Sequence, residues 1–206
     1  MNQPISFSEQ DRRLITDRAF FPAKAILTEK VKALLSHLRE ELRQELAETD
    51  ARLPDGVDRQ TGQLVKGEHL MEFPYLYLDF PKYFSGGEIF TYRTLFWWGH
   101  HLVFALIANG RSLDRYKENL MKHYDQLADR GLFLLMTPTP WEWRNAPEYV
   151  LELRPDNRAA VAAAVAERPF LKLHRFIAFD DPAMASGTIA KKGRETLRLM
   201  ALIAAV

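Results

Sequence analysis

Two charged side chains stand where charge is costly. Asp79 lies in the alternating run Tyr75-Leu76-Tyr77-Leu78-Asp79-Phe80, and Arg93 lies inside the apolar run from 89 to 98. A charge carried into such a strand must be paired or hydrated. Paired with each other, Asp79 and Arg93 make a buried ion pair that fixes sheet register, which is the first reading. Open to a ligand, they make the floor of a site for a small polar molecule. Arg93 would then grip an anionic group with its planar fork, and Tyr75, Tyr77 and His101 would form the rim.

His100 and His101 are the other chemically suggestive pair. Imidazole is both a common metal ligand and the side chain that titrates near neutrality. Adjacent strand residues point to opposite faces, which argues against one shared ion. His37, His69, His123 and His174 are scattered along the chain, so no metal site is expected. His101 beside Asp79 or Glu88 would instead give a metal-independent acid–base enzyme, provided that those groups converge within hydrogen-bond reach. Trp97 and Trp98 read as core. Trp141-Glu142-Trp143 follows Pro138 and Pro140 in a segment without periodicity. It reads as a cover over the sheet first and as a ligand or partner platform second.

Dinucleotide and phosphate-loop glycine motifs, His-Glu-x-x-His and Gly-x-Ser-x-Gly are all missing from the sequence, and no cofactor is expected. Gly86-Gly87 is read as a backbone turn. The 206 residues, 47% of them hydrophobic, suffice for one large domain. The absence of cysteine excludes disulfides and thiolate chemistry and fits a reducing, cytoplasmic location. Neither a signal peptide nor an apolar membrane span is legible. With 28 basic against 27 acidic residues, no global field favours nucleic acid. A local basic stretch, Arg168, Lys172, Arg175, Lys191, Lys192, Arg194 and Arg198, reads first as solvated surface and second as the contact of a nucleic-acid accessory protein.

These residues require elements to hold them. Ser8 with Asp11 opens a helical run from 9 to 48, broken or kinked at Pro22 into two helices. The second carries the stripe Ile26, Leu27, Val31, Leu34, Leu35, Leu38, Leu42 and Leu46. Residues 49–72 read as a long loop or a hairpin of marginal strands, and 75–80 as a short strand between Pro74 and Pro81. Runs 89–98 and 101–108 form a hairpin through a two-residue Gly99-His100 type II′ turn. That turn pairs Trp98 with His101 and Arg93 with Leu106, placing Leu102, Phe104 and Leu106 on the face of Arg93.

A helix from 113 to 130, capped by Ser112 and stopped by Gly131, then leads to a strand at 132–136. This is one right-handed parallel crossover in an otherwise antiparallel sheet, which makes the sheet mixed. A strand at 149–153, an alanine-rich helix at 155–167 and a strand at 170–179 follow. An amphipathic helix from 194 to 206 closes the chain, and its apolar end needs cover from its own sheet or from a homodimer. The expected fold is one α+β domain: helices over 1–48, a loop over 49–72, a sheet core over 73–179 and a loop and helix over 180–206.

At the hairpin and crossover, Leu95-Phe96-Trp97-Trp98, His101-Leu102-Val103-Phe104, the helix from Leu113 and Trp141-Glu142-Trp143 resemble the small bacterial YktB-like proteins of unknown function. Less than half the chain is covered. Where that family has a Lys-Arg-Gly-Tyr segment and a Pro-His-Phe strand, this chain has Lys66-Gly67-Glu68 and Phe73-Pro74-Tyr75. The resemblance implies an α+β fold with helices on a sheet, and no reaction or site. The residues themselves favour a non-enzymatic protein that binds a small polar ligand or a protein partner at Asp79, Arg93, His101, Tyr77, Trp141 and Trp143.

Overall fold

The structure, a computed structural model, describes residues 5–49 and 52–205. The expected first helical segment, loop and last helix also touch 1–4, 50, 51 and 206, which lie outside the described residues. Ser8 and Asp11 form a reciprocal capping box that starts α1 (Glu9–Ile15). Helix α2 (Phe20–Glu48) follows, and Pro22 lies in its first turn rather than at the break. There its missing N–H costs nothing, because the first helical N–H groups have no partner within the helix.

The supposed loop over 49–72 contributes β1 (Gln63–Leu70), which pairs with β2 (Phe73–Ser85). Strand β2 runs well past Pro81 because two residues, Phe80 and Pro81, bulge opposite Tyr92, where the ladder needs no proline N–H. A tight Gly86–Gly87 turn leads to β3 (Glu88–Trp97), and β4 (His101–Asn109) completes the aromatic hairpin. Then come α3 (Leu113–Lys122), the one-turn α4 (Tyr124–Leu127), β5 (Phe133–Leu135) and β6 (Val150–Glu152). A 3-10 turn (Pro155–Asn157) and α5 (Arg158–Ala166) precede β7 (Leu171–Ile177), and α6 (Pro182–Ser186) and α7 (Ile189–Ala204) end the chain. Ser112 makes no side-chain cap, and the helical run after it stops at Leu127, short of Gly131.

The strands order as β1-β2-β3-β4-β7-β5-β6, and the fold is α+β. The expected crossover does connect β4 to β5, and both oppose β7. They therefore run the same way, but β7 inserts between them, so every ladder is antiparallel rather than mixed.

One sheet face carries Leu76, Leu78, Phe80, Tyr92, Phe104 and Leu173 into the main core, with Leu35, Leu38 and Leu42 of α2 and Leu197, Met200 and Ile203 of α7. The apolar end of α7 is thus covered by its own chain. Glu45, buried in α2, ties the two helices by accepting from Arg194 Nε at 2.9 Å and Arg198 Nη2 at 2.8 Å. No helix is long and apolar enough to cross a membrane among the described residues.

Gly193 sets the closeness of α7 to the sheet. A Cβ there would stand 2.6 Å from Leu38 Cδ1 and 3.1 Å from Phe104 Cε1. Its carbonyl accepts from the buried Tyr92 hydroxyl at 2.8 Å. Gly193→Val should lower stability by about 1–3 kcal/mol through overpacking, read as a lower urea midpoint at unchanged slope. An unchanged midpoint would show that α7 can shift freely.

Candidate functional site

The second sheet face is set by the hairpin register. Trp97 pairs with His101 and Arg93 with Ala105, across a three-residue turn of Trp98, Gly99 and His100. The Trp97 carbonyl accepts from His100 N at 3.1 Å, and Gly99 takes φ 72°, a conformation that only glycine adopts cheaply. The expected two-residue turn is therefore one residue too short. Because side chains alternate, this slip moves Leu102, Phe104 and Leu106 to the helix side and brings His101, Val103, Ala105 and Ile107 beside Arg93.

The ladders then align one row of residues across the sheet: Gln63, Asp79, Arg93, Ala105, His174, Phe133 and Glu152. Lys172 lies two residues along β7, opposite Ile107. Asp79 accepts from Arg93 Nε at 2.7 Å and Nη2 at 2.6 Å, and from Thr91 Oγ1 at 3.0 Å. Arg93 also lies 3.8 Å over the Tyr77 ring, 5.1 Å from that of Trp141 and 5.9 Å from that of Trp143. The Nε and Nη2 edge of the guanidinium is thus engaged by Asp79.

A strap of irregular backbone, residues 136–149, crosses this face between β5 and β6. Its ends are closed by Met136 N donating to the Tyr149 carbonyl at 2.7 Å. Trp143 is buried against Leu95, Trp97, Val103, Ala105 and Ile107, while Trp141 stays 41% exposed above Arg93. Glu142 folds back onto the N–H groups of Trp143 and Arg144 and onto the Arg144 guanidinium. Arg144 holds that carboxyl down at about 2.

Beneath the strap lie two residues that the sequence reading passed over as a site. Lys172 is fully buried and donates to the carbonyls of Glu142 at 2.6 Å and Pro140 at 3.0 Å, with its nitrogen 3.2 Å from the Trp143 ring centre. Its acceptors are carbonyls rather than a carboxylate. Burial, reinforced by Arg93, pushes its pKa well down. His174 is 2% exposed, and neither ring nitrogen has a partner. Burial lowers its pKa, and Lys172 adds to the effect. The alternation in Leu171-Lys172-Leu173-His174 is the signal that could have put both on one face.

His101 lies on the same face, edge-on to Phe176 at 4.6 Å, with Nε2 buried and unpartnered. Burial lowers its pKa to about 4, opposed in part by a backbone contact with Trp143. His100 stacks on Trp97 at 3.6 Å instead. No protein-family model, curated protein or solved structure matches the chain.

Asp79, Arg93, Tyr77, Trp141 and Trp143 thus form one contiguous group, and His101 lies four residues along β4 from the partner of Arg93. The pairing of His101 with Asp79 or Glu88 is not formed. Asp79 is committed to Arg93, and Glu88 binds Arg111 at the far end of the hairpin. No cluster of three metal-ligating side chains exists among the described residues. Nor does the basic stretch make one surface. Lys172 is inside, Lys192 pairs with Asp181, and Arg194 and Arg198 with Glu45.

Arg93→Met should cost about 3–5 kcal/mol by leaving Asp79 buried and alone. Asp79→Leu combined with it should recover most of that loss in urea unfolding; a double variant as unstable as the single one would refute the pairing argument. The pH dependence follows from the histidines. Their native pKa values lie below the ordinary 6.5, so between about 6.5 and 4 the unfolded chain binds protons that the native state refuses. Stability should fall as pH drops through that window. His174→Phe, which keeps a ring but removes two unpartnered nitrogens, should flatten the slope without loss of stability at neutral pH.

Proposed function

We propose that the chain is a cytoplasmic binding protein for a small anionic ligand, taken up between the strap and the sheet at Lys172, His174 and His101. The observation that carries this reading is the unspent polar capacity of one buried face. His174 offers two nitrogens without partners, and His101 offers one. Lys172 brings a cation whose acceptors are only carbonyls. Buried polar groups are ordinarily satisfied, and a group of exceptions in one place calls for a missing partner. An anion answers all three residues at once, because it favours the protonated forms that burial opposes.

The Asp79–Arg93 pair serves as the rigid floor and Trp141 as the exposed lip. Ala105, between Arg93 and His174 in the row, keeps the floor shallow there. Entry is by displacement of the strap, whose backbone belongs to no ladder between its ends. The cysteine-free composition supports the reducing compartment. The likeness to the YktB-like proteins bears on the fold and adds no reaction.

Thermal unfolding and tryptophan emission should be followed with inorganic phosphate, small mono- and dicarboxylates and neutral sugars. Anions are expected to raise the midpoint and shift the emission, more strongly at pH 6 than at pH 8 because binding takes up protons. His174→Phe and Lys172→Met should abolish the response. A flat anion panel, or an undiminished response in both variants, would refute the proposal.

A further inference from the structure

The N-terminal arm is exposed to a degree that the rest of the chain is not. Helix α1 buries no residue, and in the first turns of α2, residues 20–27, all but Lys24 are exposed. Phe7, Leu14, Ile15, Phe20, Phe21 and Ile26 are each 54–64% exposed. At about 150–250 Å² for a large aromatic side chain, this leaves roughly 600 Å² of apolar surface on the arm, a large patch for a monomer.

An apolar groove of about 410 Å³ opens where the arm leaves the body, between α2, the tip of the β3–β4 hairpin and the start of α6. Leu34, Phe96, Trp98, Phe179 and Met184 line it, and Lys30 is its one charged lining residue among the described residues. Phe96 packs on Phe179 at 4.7 Å and on Trp98 at 6.0 Å, so the walls are preformed.

We propose that the arm of one copy lies in the groove of a second, so that the chain is a homodimer built by reciprocal arm exchange. Three observations select this occupant. Leu27 and Val31 of α2 are themselves a wall of the groove. Phe20, Phe21 and Ile26 stand on that same helix α2, and a helix cannot fold back into a groove that its own next turns define. Two copies related by a two-fold axis bury both arms and both grooves together, which is the self-complementarity of a closed dimer.

Area agrees with this. The roughly 600 Å² on the arm, added to the groove walls, approaches the roughly 800 Å² per partner of a stable interface. Charge disfavours a lipid surface. From 7 to 26, Glu9, Asp11 and Asp17 nearly balance Arg12, Arg13, Arg18 and Lys24. Arg13 is paired with Glu9 and Lys24 with Glu68, so the arm lacks the basic face that anionic lipid recruits.

The test uses the full, cysteine-free chain. Light scattering should give a dimer across the micromolar range. Phe20→Glu with Phe21→Glu should raise the dissociation constant roughly thirtyfold or more, as loss of interface anchors does, without lowering the unfolding midpoint of the monomer. Mixing Leu14→Cys chains with Met184→Cys chains that carry a longer tag should give a disulfide between unlike copies under mild oxidation. A monomer at all concentrations, a dimer unaffected by the glutamates, or cross-links only between like copies would overturn the proposal. Co-sedimentation of a monomer with phosphatidylserine vesicles would overturn it too, in favour of a membrane surface.

Discussion

The buried pair of Asp79 and Arg93 constrains everything on its side of the sheet. Two charges removed from water tolerate little freedom, since their mutual attraction offsets desolvation only while both Asp79 oxygens are engaged. Directly opposite places on β2 and β3 provide that geometry. A slip of one residue in β3 would turn Arg93 into the helix-side core among Leu78 and Phe104. The pair therefore fixes the parity of β3, and the ladders carry that parity to β4 and β7. The positions of Ala105, Lys172 and His174 follow from it.

The two faces of the sheet solve burial differently. On the helix side, long apolar stripes meet apolar strands; the Tyr92 hydroxyl there finds the carbonyl of Gly193, while the Thr94 hydroxyl is buried without a partner. On the strap side, short-range polar contacts replace regular structure. The strap has no helical stripe to offer, so it holds by Trp143 wedged over Ala105, by Glu142 bent onto its own backbone and by Lys172 drawing two of its carbonyls down. Few buried apolar contacts and no continuous ladder make this the side where local opening costs least.

Much of this was legible before any coordinates. The apolar period of α2, the alternation around Tyr77 and the glycine in the hairpin each follow from local chemistry, and the proline-bounded tryptophans do serve as a cover. What escaped was decided by distant partners. A Gly-His pair suits a two-residue turn as well as a longer one, and only the pairing of Trp97 with His101 chose between them. The crossover from β4 to β5 was readable, but not that β7, some forty residues later, would insert between its strands. Lys172 looked like one of several surface bases because its burial comes from Trp143, twenty-nine positions away in the chain. Local patterns specify which way a side chain points, and only tertiary contacts specify whether water reaches it.

Lys172 also shows why the strap and the chemistry beneath it cannot be separated. Its ammonium loses solvation in the core, and the two strap carbonyls and the Trp143 ring replace only part of it, so the charged form remains disfavoured. The same contacts are what keep the strap closed. Any group that stabilises the ammonium better than those carbonyls competes directly with closure. Any change that neutralises the lysine weakens the hold, because a neutral amine interacts less strongly with carbonyls and not at all as a cation with the ring. In the proposed ligand uptake, protonation of this face and displacement of its cover are therefore coupled through Lys172.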